Sequence, residues 1–229
     1  MAQKKRQRIL ERRLHLADRI IAAALTTSTI LSPLSVFAAD SNIKAKGDWT
    51  TVKTSGSKHT VTTNKKDGDK AFNRFSNFEL AQGHIANMIL PSGVKKLYNF
   101  VDAQVNIQGT VNALRAEANR IGGHLLFVSP KGMIVGEKGA INAGKFSAII
   151  ADEDTYNAIL KQDAPWSHEK FKLMDKGYVA LDPKGSIVVK KGGRITAPDG
   201  IELKAATRSL SKTMLCWTRP RSISARSSM

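Results

Sequence analysis

The run GGHLLFVSPKGMIVGEKGAINAG, Gly122 to Gly144, reads as three short strands separated by two turns. Leu125–Val128 and Met133–Val135 are apolar and flank a turn of Ser129, Pro130, Lys131 and Gly132. A third apolar run, centred on Ile141, follows the break Gly136–Gly139. So many strand and turn signals in so few residues describe a coil of short strands rather than an α/β unit.

Parts of this pattern recur. Gly109-Thr-Val-Asn-Ala113, Gly139-Ala-Ile-Asn-Ala143 and Gly193-Arg-Ile-Thr-Ala197 share one form, and upstream stand Pro91-Ser-Gly93, Pro130-Lys-Gly132 and Pro183-Lys-Gly185. Ser129–Ala143 aligns with Asp182–Ala197 if one residue is inserted. A Pro-x-Gly turn, an apolar strand and a Gly turn in repetition are the sequence form of a β-solenoid. One short strand cannot bury its apolar face alone, whereas coils stacked about 4.8 Å apart cover that face and pair the backbone. Gly is expected to supply positive φ at coil corners and Pro to fix the turn. At about 20–25 residues per coil, the body predicts roughly six to eight turns. An antiparallel sandwich with coincidental Pro-Gly turns is the competing architecture.

Composition agrees with a β fold. The 229 residues are 41% hydrophobic but only 6% aromatic, which suits small and β-branched packing. The net charge of +17 is concentrated at the ends: residues 1–38 and 207–229 each carry a surplus of five, leaving +7 for 39–206. That placement argues against nucleic acid as a partner of the body. The single cysteine, Cys216, excludes a disulfide framework.

Three domains are expected: 1–38, 39–206 and 207–229. Residues 1–38 read as an extended signal peptide: a basic leader, the apolar run from Ile20, the helix-breaking Pro33, and small residues around the cleavage site. Val36 and Ala38 fit the −3 and −1 positions, which predicts cleavage after Ala38, with Ala39 the second choice.

Within the body, Thr50–Thr54 and His59–Thr63 read as exposed Thr-rich strands at one end of a sheet. In Ala71–Leu80, Phe72, Phe78 and Leu80 share parity while Phe75 is opposite, so a turn or bulge is expected near Arg74. The phenylalanines are expected in the core, and Asn73 and Arg74 solvated or bonded in a turn. Asp152–Lys161 breaks the β pattern and predicts a short helix near 152–161, with Asp152 as N-cap and Tyr156, Ile159 and Leu160 on one face. With Trp166 and Phe171 it is expected to lie over one face of the solenoid. The acids there serve as caps, not as a carboxylate pair.

No catalytic, cofactor or metal constellation is present in the sequence. There is no Gly-x-Ser-x-Gly elbow, no His-Glu-x-x-His and no Walker loop. His59, His84, His124 and His168 stand apart, and His124 sits in an apolar strand as a packed or outward-facing residue rather than a metal ligand. The chain is therefore read as a non-enzyme without cofactors.

The assembled residues resemble the secretion domain of two-partner-secretion exoproteins, the filamentous-haemagglutinin-type adhesins and haemolysins. The resemblance runs from about Lys70 to Ala206, supported by the long signal peptide. Phe72-Asn73-Arg74-Phe75 through Asn87 looks like the family's early segment. Ser129-Pro130-Lys131-Gly132-Met133, with Asn142 in the strand after it, looks like its Asn-Pro-Asn-Gly-Ile motif. Ser129 and Lys131 replace both asparagines, so asparagine-specific contacts do not carry over. The resemblance implies an all-β right-handed parallel β-helix with an amino-terminal cap. It also implies inner-membrane export, recognition by the periplasmic domains of a partner outer-membrane transporter, and a secreted or cell-surface destination. Host surfaces would be met by downstream repeats. From Thr207 the composition changes to a basic, acid-free tail, read as a frameshifted or truncated end. The competing function is a stand-alone secreted solenoid acting as a polysaccharide-binding protein or lyase.

Overall fold

The computed structural model describes residues 40–206. The signal-peptide reading, with Ala38 and Ala39, and the tail 207–229 lie outside the described residues. Four short strands open the fold: β1 (Asn42–Ala45), β2 (Thr50–Ser55), β3 (Lys58–Thr63) and β4 (Lys66–Asp67). The expected Thr-rich strands are β2 and β3, which form an antiparallel hairpin. β1 and β4 both pair antiparallel with the long strand β5 (Lys70–Leu80).

From Lys70 the chain winds in coils, and their strands stack into three parallel sets. The first set holds the front half of β5, then β7 (Lys96–Val101), β11 (His124–Val128), β14 (Lys145–Ile149) and β17 (Ile201–Lys204). The second holds the back half of β5, then β8 (Val105–Ile107), β12 (Met133–Val135) and β15 (Ile187–Val189). The third runs from β3 through β6 (Ile85–Leu90), β9 (Thr110–Arg115), β13 (Ala140–Asn142) and β16 (Arg194–Thr196). A two-residue strand, β10 (Arg120–Ile121), folds back antiparallel on β9.

Parallel pairing between strands one coil apart excludes the antiparallel sandwich and places the fold in the β-solenoid class. The Gly122–Gly144 run is one coil, β11 to β13.

The first stack has five rungs, fewer than the expected six to eight turns. Two stretches are spent otherwise: 40–69 on the opening strands, and 152–186 chiefly on a helical insertion. Lys70, Lys96, His124 and Lys145 stand in register, so successive coils consume 26, 28 and 21 residues.

Side chains inside the coils form one core. Phe75, Phe78, Phe127 and Phe146 are buried there, with Phe78 5.1 Å from Phe127 and Phe127 6.5 Å from Phe146 between ring centroids. Phe72 is equally buried but on the other side of the first stack. There, with Tyr98, Phe100, Leu126 and Ile149, it forms a second core beneath the insertion. The parity change falls at Ser76, two residues past the expected Arg74: β1 pairs Lys44 with Asn77 and Ala45 with Phe75, leaving Ser76 bulged. That bulge lets one strand serve two stacks.

The insertion holds α1 (Glu153–Leu160), a 3-10 turn at Pro165–Ser167 and α2 (Glu169–Asp175). Asp152 caps α1 as expected, accepting from the Thr155 amide at 2.9 Å. Tyr156, Ile159, Leu160 and Phe171 are buried against the outward aromatic strip.

Gly93 and Gly132 of the Pro-x-Gly turns take the expected positive φ, whereas glycine at the Gly-x-(Val/Ile) corners has a different cause. Gly109, Gly139 and Gly193 do not have positive φ. A Cβ on Gly139 would stand 2.3 Å from the Ile107 carbonyl oxygen, so these positions are small because neighbouring backbone presses on them. The Pro-x-Gly turns also divide. Pro130–Gly132 and Pro183–Gly185 lie between the first and second stacks, whereas Pro91–Gly93 joins β6 of the third stack to β7 of the first. Pro91 therefore belongs to a different corner from the other two.

Candidate functional site

The turn Ser129–Met133 is built from the inside. Ser129 is 1% exposed, and its Oγ donates to the Ala103 carbonyl at 2.9 Å while accepting from the Lys131 amide at 3.0 Å. A side chain bonding its own backbone two residues on is what Asn or Asp supplies in an Asx turn, so Ser performs it here with a shorter arm. Pro130 is buried, and Gly132 has φ +95°, where a Cβ would lie 2.8 Å from the Ser186 carbonyl oxygen. The Met133 amide donates to that same oxygen at 2.9 Å, and its side chain enters the core. Lys131 alone among the five is exposed, with Nζ 3.2 Å from Glu153 of α1.

The Phe72–Phe75 segment lies on the first rung, and the 102–104 segment separates it from that turn, so the two do not converge into one site. The expectation that Asn73 is solvated is overturned. It is fully buried, accepting from Thr50 Oγ1 at 3.2 Å and donating to Asn99 Oδ1 at 3.0 Å; Asn99 in turn donates to the Leu97 and Leu126 carbonyls. Interior amides of this kind survive burial because every polar group is paired. Arg74 is half-buried, its amide held by Thr50 Oγ1 at 2.8 Å. Asn142 ends a ladder on the outer side of the third stack: it donates to Asn112 at 2.9 Å, which donates to Asn87 at 3.1 Å.

Two side-chain groupings escaped the sequence. His59 on β3 and His84 at the corner before β6 stack with centroids 5.3 Å apart, Nε2 of the first lying 3.0 Å from Nδ1 of the second. One ring donates and the other accepts, so the pair requires at least one unprotonated nitrogen. Burial, then the charge of His84, lowers the pKa of His59.

The second grouping lies where α2 meets the first stack. Asp175 binds Lys96 Nζ at 2.6 Å, the Tyr98 hydroxyl and, at 3.6 Å, Lys70. Burial opposes its charge, but the hydrogen bonds from Lys96 and Tyr98 outweigh it and hold the carboxyl below its usual range. Burial, then Asp175, pushes Tyr98 well above the usual phenol value. Glu202 pairs with Lys204 at 3.0 Å and Lys145 at 3.7 Å. Between them stands His124, 2.7 Å from Ser147 Oγ and lowered to about 4 by burial and then by Lys145 and Lys96. Ser147 is 1% exposed and does not line the adjoining cavity, so its hydroxyl fixes the imidazole and is not placed as a nucleophile. Among the described residues, no three metal-ligating side chains converge, and no helix is long and apolar enough to cross a membrane.

Searches of protein-family models and of curated proteins return no match to the chain.

Proposed function

We propose that this chain is the amino-terminal secretion domain of an exported adhesin- or haemolysin-like protein, handed to a partner outer-membrane transporter after inner-membrane export. On this reading the coils wind right-handed, the opening strands cap the first coil, and the domain nucleates folding of further repeats that meet a host surface. The observation that carries the reading is the Ser129–Met133 turn. It is a tight corner between stacked parallel strands, fixed by buried backbone and by Ser129, and it presents one exposed cation. The extended basic leader supports the same route.

The test is secretion into the medium by cells expressing the partner transporter. Lys131→Gln removes the exposed charge and leaves the buried turn intact; it should lower secretion at unchanged periplasmic level and nearly unchanged thermal stability. Pro130→Ala with Gly132→Ala should abolish secretion together with the native fold. Normal secretion of both variants overturns the assignment of this corner to transporter recognition.

A further inference from the structure

We propose that the cavity between the first strand stack and α2 binds a small organic anion, a carboxylate carried on a compact apolar body. The cavity measures about 210 Å³ and has two kinds of wall. Leu126, Ile149 and Met174 supply apolar surface, while Lys96, Lys145 and Lys204 line the cavity together with His124. A dry cavity of about 150 Å³ admits a benzene ring, and drug-sized sites begin near 300 Å³. The volume therefore fits one ring or short branched chain bearing a single charged group.

Charge favours an anion. Lys96, Lys145, Lys176 and Lys204 line the cavity against only two carboxylates, Asp175 and Glu202. Each of those acids is already held by two lysines. Register makes the convergence unavoidable. Lys96, His124 and Lys145 face the same way on consecutive rungs about 4.8 Å apart, so the two lysines flank the imidazole from either side. An anion lying over His124 takes the place between them.

Of the charged groups that face the imidazole, Lys145 from β14 and Lys96 from β7 favour its neutral form, and Glu202 from β17 and Asp175 at the α2 end favour its charged form; Lys204 and Lys176 line the same cavity. Burial first, and then Lys145 and Lys96, keep His124 neutral, so a carboxylate bound beside it shifts the balance towards the imidazolium and binding strengthens as pH falls.

The probes are benzoate, its neutral counterpart benzyl alcohol, and sulfate, each titrated into the full chain and followed by NMR of the His124 ring and Lys145. Benzoate should give saturable shifts with a Kd below about 1 mM. It should bind about threefold tighter at about pH 5.5 than at about pH 8. Benzyl alcohol should not saturate, and sulfate should bind more weakly than benzoate. Lys145→Gln should weaken benzoate about fivefold or more with the fold intact, and Lys145→Arg should restore it. Should Lys145→Gln unfold, Lys176→Gln on the rim gives the same reading. The proposal is overturned by unsaturable benzoate shifts, by equal binding of benzyl alcohol or sulfate, or by folded lysine variants that bind benzoate as the parent does.

Discussion

Ser129 shows how a single hydroxyl fixes a corner. It accepts from the Lys131 amide and donates to Ala103 of the preceding coil, tying the turn to itself and to its neighbour. Ser129→Ala removes both bonds from a buried place and should cost about 1–3 kcal/mol in urea unfolding. Ser129→Asn, which can make the same backbone bond, should cost less than Ser129→Ala. A second residue-scale expectation concerns His59. Its pKa is below the usual value in the folded state, so the unfolded chain takes up its proton first as pH falls. Stability contributed by neutral His59 is thus present above about pH 6.5 and declines as pH drops below it. The protection factors of β2 and β3 amides, which are exchange rates corrected for the intrinsic pH dependence, should fall between about pH 7 and pH 5, and His59→Gln should flatten that dependence. An unaltered pH profile in the variant would show that the pair does not hold the hairpin.

At the scale of elements, the insertion and the coils are separate packing problems. Phe171 of α2 lies 5.5 Å from Phe72 and 5.0 Å from Tyr98, edge to face with both. Its contacts belong to the outer core alone. Phe127 instead sits inside the coils between Phe78 and Phe146. Phe171→Ala should release α1 and α2 to fast hydrogen exchange while the inner strands stay protected. Phe127→Ala should cost about 3–5 kcal/mol and lower protection in all three stacks, because each rung is stable only against its neighbours. Mass-spectrometric exchange separates the two patterns; similar profiles for both variants would mean that the two cores unfold as one.

Across the whole molecule, most of the winding was legible and much of the charge chemistry was not. The Gly-x-(Val/Ile)-(Asn/Thr)-Ala repeat marks β9, β13 and β16, and the single inserted residue predicted before the last of them is real. Pro130 and Pro183 are 53 residues apart, whereas the paired Met133 and Ile187 are 54 apart. The helical insertion was equally plain, since a capped 3.6-residue pattern interrupts a two-residue one. The features that escaped have a common cause. Coils of 26, 28 and 21 residues give no fixed period, so Lys70, Lys96, His124 and Lys145 cannot be seen as one column. Asp175 reaches that column only because α2 folds back over it. His59 and His84 meet because β3, read as an end strand, is also a rung of the third stack.

The residues alone show that strands are short, where they turn, and that a helix interrupts the winding. These depend on alternation, on turn residues and on caps, all interactions between near neighbours in the chain. Which rung lies on which is settled only once the coils stack. Stacking thereby sets the burial of Asn73, the backbone pressure that makes Gly139 small, and the gathering of Lys96, His124, Lys145 and Asp175 around one cavity. Those outcomes depend on register between coils, and register comes from the summed lengths of intervening turns, which local interactions do not fix.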